Sequence, residues 1–148
     1  MTPSFRFRLE RVRAVRERKE KLAQRQLADA LTRRSSSVSE LRSAEDRVEH
    51  ALEQQRSAPP LLSGGELLAR QAFLERSEAQ RSASERELQR RDAEVAARDA
   101  ELTAAATEHE MLNRLRERRR REHEQEVARR ELGVIDEIAT SRFSRSQA

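Results

Sequence analysis

The residues that break helices fall almost entirely within one short stretch of this chain. From Ser4 to Arg56 there is neither Gly nor Pro, and from Glu66 to Leu132 there is again neither. Between them stands Ser57-Ala58-Pro59-Pro60-Leu61-Leu62-Ser63-Gly64-Gly65. Pro removes a backbone donor and clashes with the preceding turn, and Gly costs more entropy to order, so the two punctuate helices. Two long segments about one breaker cluster predict two helices, at about residues 4–56 and 66–142, folded back through a turn at 57–65. The expected fold class is all-α: a long antiparallel two-helix coiled coil spanning 1–148 as one unit, with the second helix longer. Such an object offers no concave pocket. Its work must be done by surfaces, ends and partners.

Composition agrees with that architecture. Ala, Glu, Lys, Leu and Arg make up about 60% of the residues, more than the roughly half that marks long helices and coiled coils. Charged residues are 39%, there is no Trp or Tyr, and only four Phe are present, too few large apolar groups for a globular core of this length. A narrow seam between two helices needs fewer. High charge with low hydrophobicity also marks disorder. Here the net charge is only +4 and the two signs are interleaved, so self-repulsion is weak and the helix formers prevail. There is no Cys, which excludes disulfides and thiolate metal sites and fits a reducing compartment. No apolar run approaches the ~20 residues needed to span a bilayer, and Met1–Arg8 lacks the apolar core of a signal peptide. These features predict a cytoplasmic protein.

The seam is visible as periodicity. Leu31, Arg34, Val38, Leu41, Glu45, Val48 and Leu52 step by three and four, as a heptad does. Phe5, Leu9, Val12, Val15, Leu22, Leu27 and Leu31 hold a looser stripe before it. In the second segment Leu74, Arg81, Leu88, Val95 and Leu102 fall seven apart, and Arg91-Asp92-Ala93-Glu94-Val95 repeats at the same spacing as Arg98-Asp99-Ala100-Glu101-Leu102. Ala at many seam positions lets the helices approach closely but buries little area. Phe73 and Leu74 are the large apolar residues of their turn. Leu74 takes the seam register, which leaves Phe73 on a flank with Arg70, Ser77, Gln80 and Ser84 along its face.

The two helices differ in length. At ~1.5 Å per residue the first would run roughly 80 Å and the second roughly 110 Å. Folding about residue 60 brings Phe5 near residue 116, and the residues beyond that point have no helix of their own chain to pack against. Yet this overhang carries Ala128, Leu132, Ile135 and Ala139 at helical spacing, with Val134 and Ile138 beside them and Phe143 beyond. An amphipathic helix of this kind points to a partner. Gly133 should weaken the helix there by about 1 kcal/mol relative to Ala.

Charge is uneven. Residues 1–34 hold 11 basic and 4 acidic side chains, 35–113 hold 10 and 16, and 114–148 hold 10 and 7. In a hairpin the first and last blocks meet, giving a basic end that includes Arg118, Arg119, Arg120 and Arg121. Such clusters bind acidic protein surfaces, lipid headgroups or nucleic acid. Nucleic acid is disfavoured, because there are no interleaved aromatics, zinc ligands or recognition-helix pattern. Chemistry at a site is disfavoured as well. Glu108-His109-Glu110 and Glu122-His123-Glu124 look like ligand clusters, but neighbours one apart on a helix point different ways. Gly64-Gly65 lacks the Lys-Ser/Thr of a phosphate loop. No cofactor, metal, small-molecule substrate or enzymatic activity is expected.

Three motifs carry a family resemblance. The opening Phe5-Arg6-Phe7-Arg8-Leu9-Glu10-Arg11-Val12-Arg13-Ala14-Val15-Arg16-Glu17 resembles the F-x-F-x-L-x-x-V-x-x-x-R-E start of the flagellar export protein FliJ family. Leu67-Leu68-Ala69-Arg70-Gln71-Ala72-Phe73-Leu74 is similar to the aromatic-bearing start of that family's second helix. Glu131-Leu132-Gly133-Val134-Ile135-Asp136-Glu137-Ile138-Ala139, followed by Arg142 and Phe143, resembles its closing Asp-Glu-apolar-Ala signature, with Gly133 a departure where a polar helix former is usual. The resemblance implies a stalk or coupling component of the flagellar type III export apparatus, peripheral to the inner face of the cell membrane. It implies docking in the hexameric export ATPase, here through Leu132, Ile135, Asp136, Ile138 and Ala139 with Arg118–Arg121. It also implies contact with the export gate membrane protein near Arg70, Phe73, Ser77 and Gln80, and handling of export chaperones. The injectisome stalk family shares this architecture. A generic coiled-coil scaffold, with a basic end for membrane or nucleic acid, remains the reading from the residues alone.

Overall fold

The structure is a computed structural model and describes residues 4–146. It contains two helices, α1 over Glu10–Arg56 and α2 over Gly64–Ser146, and no strand among those residues. The second helix is the longer, and the two pack against each other as an α-hairpin. The chain forms two compact units: Lys21–Thr103, and the residues up to Glu20 together with those from Ala104 on.

In the first of these, Arg33 pairs with Glu94, Arg34 with Asp92, and the Arg98 guanidinium donates to the Gln26 side chain at 3.4 Å, which fixes an antiparallel register. The deepest positions of α1 here are Ala23, Ala30, Ser37, Ala44 and Ala51, each seven residues from the next. On α2 Leu74, Ser77 and Ser84 are buried, and Arg81, Leu88, Arg91, Val95 and Leu102 are half-buried along the same two rows. The seam of α1 is thus one residue away from the row that the large side chains suggest. Arg34, Leu41 and Val48 belong to it, but its other row is 30, 37, 44 and 51 instead of 31, 38, 45 and 52. Ala30 is 0% exposed while Leu31 is 48% exposed. The physical reason is spacing. Small side chains let the two backbones close up, and larger neighbours are then expelled to the flanks. A compact apolar cluster near the turn joins Val48, Ala51 and Leu74, with Leu52 and Phe73 packed against it.

Ser57–Ser63 connects the helices. The Ser57 hydroxyl and amide both return to the Glu53 carbonyl, at 2.8 and 3.0 Å, which ends α1 ahead of the Pro pair. Ser63 begins α2 with a capping box. Its hydroxyl oxygen accepts from the Glu66 amide at 3.3 Å, and the Glu66 carboxylate accepts from the Ser63 amide and hydroxyl, both at 2.9 Å. Those two donors hold the Glu66 carboxyl below its ordinary range, the backbone amide contributing most. Gly64 and Gly65 therefore belong to the first turn of the helix and not to the loop. Neither has a positive φ.

In the second unit α1 begins at Glu10, six residues later than the breaker pattern predicts. Phe5 and Phe7 are half-buried while Ser4, Arg6 and Arg8 are exposed, the alternation of an extended segment. An extended chain advances ~3.3 Å per residue against 1.5 Å in a helix, so this arm reaches farther along α2. The Phe5 ring lies against His123, with ring centroids 5.8 Å apart, and not near residue 116. Between α1 and α2 the seam of this unit is polar. Arg16 and Lys19 both hold Glu108, at 2.8 and 3.2 Å. Half-buried His109 and Glu20 meet at 2.5 Å through Nδ1 and Oε2. A carboxylate only accepts, so Nδ1 is the donor. Nε2 then accepts from the Asn113 amide at 3.3 Å, and the Asn113 oxygen accepts from Arg13 at 3.4 Å. The chain Arg13–Asn113–His109–Glu20 is thus satisfied in one direction. Arg13 also holds Glu10 at 2.6 Å, and this bond keeps the Glu10 carboxyl below its ordinary range. Ala105 is the one nearly inaccessible apolar residue of this unit among those described.

Candidate functional site

The C-terminal part of α2 is helical because it is built of Ala, Glu, Arg, Leu and Ile with no Pro, and it runs unbroken through Gly133 to Ser146. Nothing lies within 4 Å of the place a Gly133 Cβ would occupy. From Ala128 to Thr140 every residue is exposed. Leu132 is 66%, Ile135 62% and Ile138 49% exposed, and Val134 and Phe143 are similarly bare. Leu132, Ile135, Asp136 and Ala139 line one shallow groove of the helix surface with Gly133. Ile138 does not share that groove; it lines another with Ser141, Arg142 and Arg145. The closing motif suggests a single site for these five residues, whereas the structure distributes them over two neighbouring grooves. The bare stretch also starts later than predicted, because the arm covers α2 as far as His123, and Val127 is half-buried.

The Arg cluster precedes it on the same helix. Arg118 and Arg119 reach Glu122, at 3.8 and 3.2 Å, Arg120 reaches Glu124 at 2.9 Å, and Arg130 reaches Glu126 at 3.0 Å. All are exposed pairs three or four residues apart and add little stability. They remain available to exchange partners. Among the described residues, Arg121 and the carboxylates of Glu131, Asp136 and Glu137 have no ion pair.

The second candidate set does not form the free flank that the sequence suggests. Ser77 is 6% exposed and belongs to the seam, where its hydroxyl donates to the Phe73 carbonyl at 2.8 Å. Phe73 is half-buried on the Val48, Ala51 and Leu74 cluster. Arg70 is half-buried and donates to the Gln54 carbonyl on α1. Only Gln80 is fully exposed. The cause is again a row of small and polar side chains: 70, 77 and 84 are the second seam row of α2. The exposed apolar groups near the turn are instead Leu61, Leu67 and Leu68, the last 73% exposed. Leu67, Leu68 and Arg70 line a shallow groove with Gln55, Ala58 and Gln71. The signal for them is two Leu pairs in or next to a breaker-rich stretch, where no seam can bury them.

No group of three or more His, Cys, Asp or Glu that could hold a metal ion occurs among the described residues, and no helix among them is long and apolar enough to cross a membrane. A two-helix hairpin with a small-residue seam and bare apolar helix surface defines the class: an all-α hairpin protein. Within that class, the model of the flagellar FliJ protein family matches residues 5–148, and the chain belongs to that family, a component of flagellar protein export. No curated protein and no solved structure matches it.

Proposed function

We propose that this chain is a non-enzymatic coupling component of the flagellar export apparatus that docks in the hexameric export ATPase through the C-terminal end of α2. The observation that carries this reading is the bare apolar surface of Leu132, Ile135 and Ile138 on a helix with no partner segment beside it among the described residues. Burial of such groups in a ring would drive association. The Arg118–Arg121 cluster, held only by exposed local pairs, would meet acidic groups at the entrance and speed encounter. Contact with the export gate membrane protein belongs to the turn-proximal groove. The accessible edge of Phe73 contributes beyond Arg70, with Leu67 and Leu68 supplying apolar area and Ser77 supporting Phe73 from the seam, and Gln80 would add to the contact from a separate groove farther along the hairpin with Ser39, Glu40, Ser43 and Arg47. Export chaperones are a further class of partner. The protein then works peripherally at the inner face of the cell membrane, held there by the apparatus.

The test is truncation after Arg130. The shortened chain keeps the hairpin, because every cross-helix pair described lies before that point, yet should lose stimulation of ATPase ring assembly and ATP hydrolysis. Full stimulation by the truncated chain would refute the docking role. Charge reversal at Arg118–Arg121 should slow association and flatten its salt dependence.

A further inference from the structure

The start of α1 carries positive charge that no carboxylate neutralises. Arg6, Arg8, Arg11 and Arg18 are exposed, and none has an ion pair among the described residues. The Arg118–Arg121 run differs, because Arg118 and Arg119 hold Glu122 and Arg120 holds Glu124. The acidic residues of the first turns of α1 are all half-buried and occupied. Glu10 meets Arg13 and Arg116 at 2.6 and 3.6 Å, Glu17 meets Arg13 at 3.7 Å, and Glu20 meets His109 at 2.5 Å. At about 100° per residue, Arg18, Arg11, Val15, Lys19 and Val12 fall within an arc of roughly 120°, and the three glutamates lie outside it on the other side of the helix. All five residues of the arc are exposed, Val12 at 42% and Val15 at 59%. Lys19, at its border, shares Glu108 with Arg16.

We infer that this face of α1 lies directly against anionic phospholipid headgroups. The inference does not rest on docking in the ATPase ring, which uses other residues. Charge complementarity calls for an anionic surface, and three features select a lipid one. The face is the convex outer side of a single helix. A fluid headgroup layer moulds to such a shape, whereas an acidic protein would have to be hollowed to match it. Two valines stand among the cations. Nucleic-acid phosphates gain nothing from them, but at the boundary between headgroups and acyl chains they are buried. The glutamates are turned away, so no like charge is pressed against the headgroups. Each cation near an anionic leaflet adds about fivefold to partitioning. Arg6 and Arg8, on the exposed edge of the arm, add to the attraction.

The test is partitioning of the full chain onto vesicles, measured by co-sedimentation at low ionic strength. Vesicles of phosphatidylcholine with phosphatidylglycerol should bind it at least about tenfold more tightly than phosphatidylcholine alone, and added salt should weaken the binding. Arg11→Gln with Arg18→Gln should weaken it about 25-fold, at about fivefold per cation, and Val12→Ser with Val15→Ser by at least about threefold. Gln is a good helix former like Arg, and Ser ranks with Val, so circular dichroism should stay unchanged. The chain has no Cys, so Val15→Cys gives a single site for an environment-sensitive dye, whose emission should shift to the blue on the anionic vesicles only. The inference falls if neutral vesicles bind equally, if either double variant binds as the unsubstituted chain does, or if the dye emission stays put. Equal weakening by Arg119→Gln with Arg120→Gln would overturn it, because net charge alone would then be read. Binding to poly-glutamate or to a DNA duplex as tight as to the anionic vesicles would overturn it in favour of an acidic protein or a nucleic acid.

Discussion

Adjacent residues at the middle of α1 give opposite expectations that separate the observed seam from the apparent one. Ala30 is fully buried between the helices and Leu31 is about half exposed. Ala30→Leu places three further carbons where the backbones are closest. Overpacking of this kind costs about 1–3 kcal/mol, and helix propensity adds almost nothing because Leu ranks next to Ala. Leu31→Ala removes a side chain whose full burial would be worth about 1.5–3 kcal/mol, so with half of it already in water the loss is under about 1 kcal/mol, offset in part by propensity. Thermal unfolding followed by circular dichroism at 222 nm reads the difference. At about 2–4 °C per kcal/mol for a chain of this size, Ala30→Leu should lower Tm by roughly 2–12 °C and Leu31→Ala by no more than about 4 °C. A seam through Leu31 would make Leu31→Ala a core deletion costing about 2–5 kcal/mol and Ala30→Leu nearly silent. That inversion would refute the small-residue register.

Other outcomes rest on single contacts. Gly133→Ala meets no neighbour and should strengthen the end of α2 by about 1 kcal/mol, read as slower amide exchange at residues 130–138 with the hairpin Tm unchanged. Ser63→Ala removes the capping hydroxyl and should cost about 1 kcal/mol, with faster exchange at the first amides of α2. The Glu94 carboxyl is depressed from its ordinary 4.5, first by the hydrogen bond from Arg33 and then by that from Arg91. A carboxyl lowered by folding lends stability that is complete above 4.5 and is lost as pH falls through the lower folded value. Tm should therefore be flat from neutrality to about pH 5 and decline below 4.5, and Glu94→Gln should flatten part of that decline; a Tm that rises on acidification would contradict it. Phe5→Ala should release the arm from His123 and speed tryptic cleavage at Arg6 and Arg8 several-fold, with helicity unchanged.

The existence, order and approximate extent of the two helices are legible because Gly and Pro mark the turn and little else. One row of the α2 seam is legible too, since Leu74, Leu88, Val95 and Leu102 are large and share one seven-residue repeat with Arg81. The α1 seam is obscured because its deepest row is Ala and Ser, residues that a search for apolar size passes over. The same blindness to small residues affects the candidate site: the second row of α2 at 70, 77 and 84 is Arg and Ser, so it is passed over, and Phe73 moves from a free flank to the edge of a cluster. The arm is missed for a different reason. Phe5-Arg6-Phe7-Arg8 alternates with period two, a strand-like pattern, but it stands against a helical stripe that begins at Leu9 and absorbs it. The capping box at Ser63-Gly64-Gly65-Glu66 is written plainly as S-x-x-E, yet the paired glycines read as loop. At the tail, the apolar spacing announces an unpartnered helix, but the separation of Ile138 from Leu132, Ile135 and Ala139 into two grooves becomes visible only in the structure.

The polar seam beside His109 and the apolar tail beyond His123 belong to the same helix and divide the tasks of stability and recognition between them. Glu108, His109 and Asn113 are each bonded to α1, so this stretch of α2 has one register in which every group is satisfied. A one-residue slip would strand a half-buried carboxylate or imidazole, a penalty larger than the stability such a network adds. Polar partners therefore fix where α1 begins against α2, and with it where the arm reaches and where the bare surface starts. The tail needs no such constraint from its own chain. Its large side chains are apolar, which makes them indifferent to exact pairing, and Arg129, Arg130, Asp136 and Glu137 keep the other side of the helix hydrated. A chain of this kind can hold its hairpin with small residues and directed polar pairs, and leave the large apolar groups at the end of α2 for the partner that covers them.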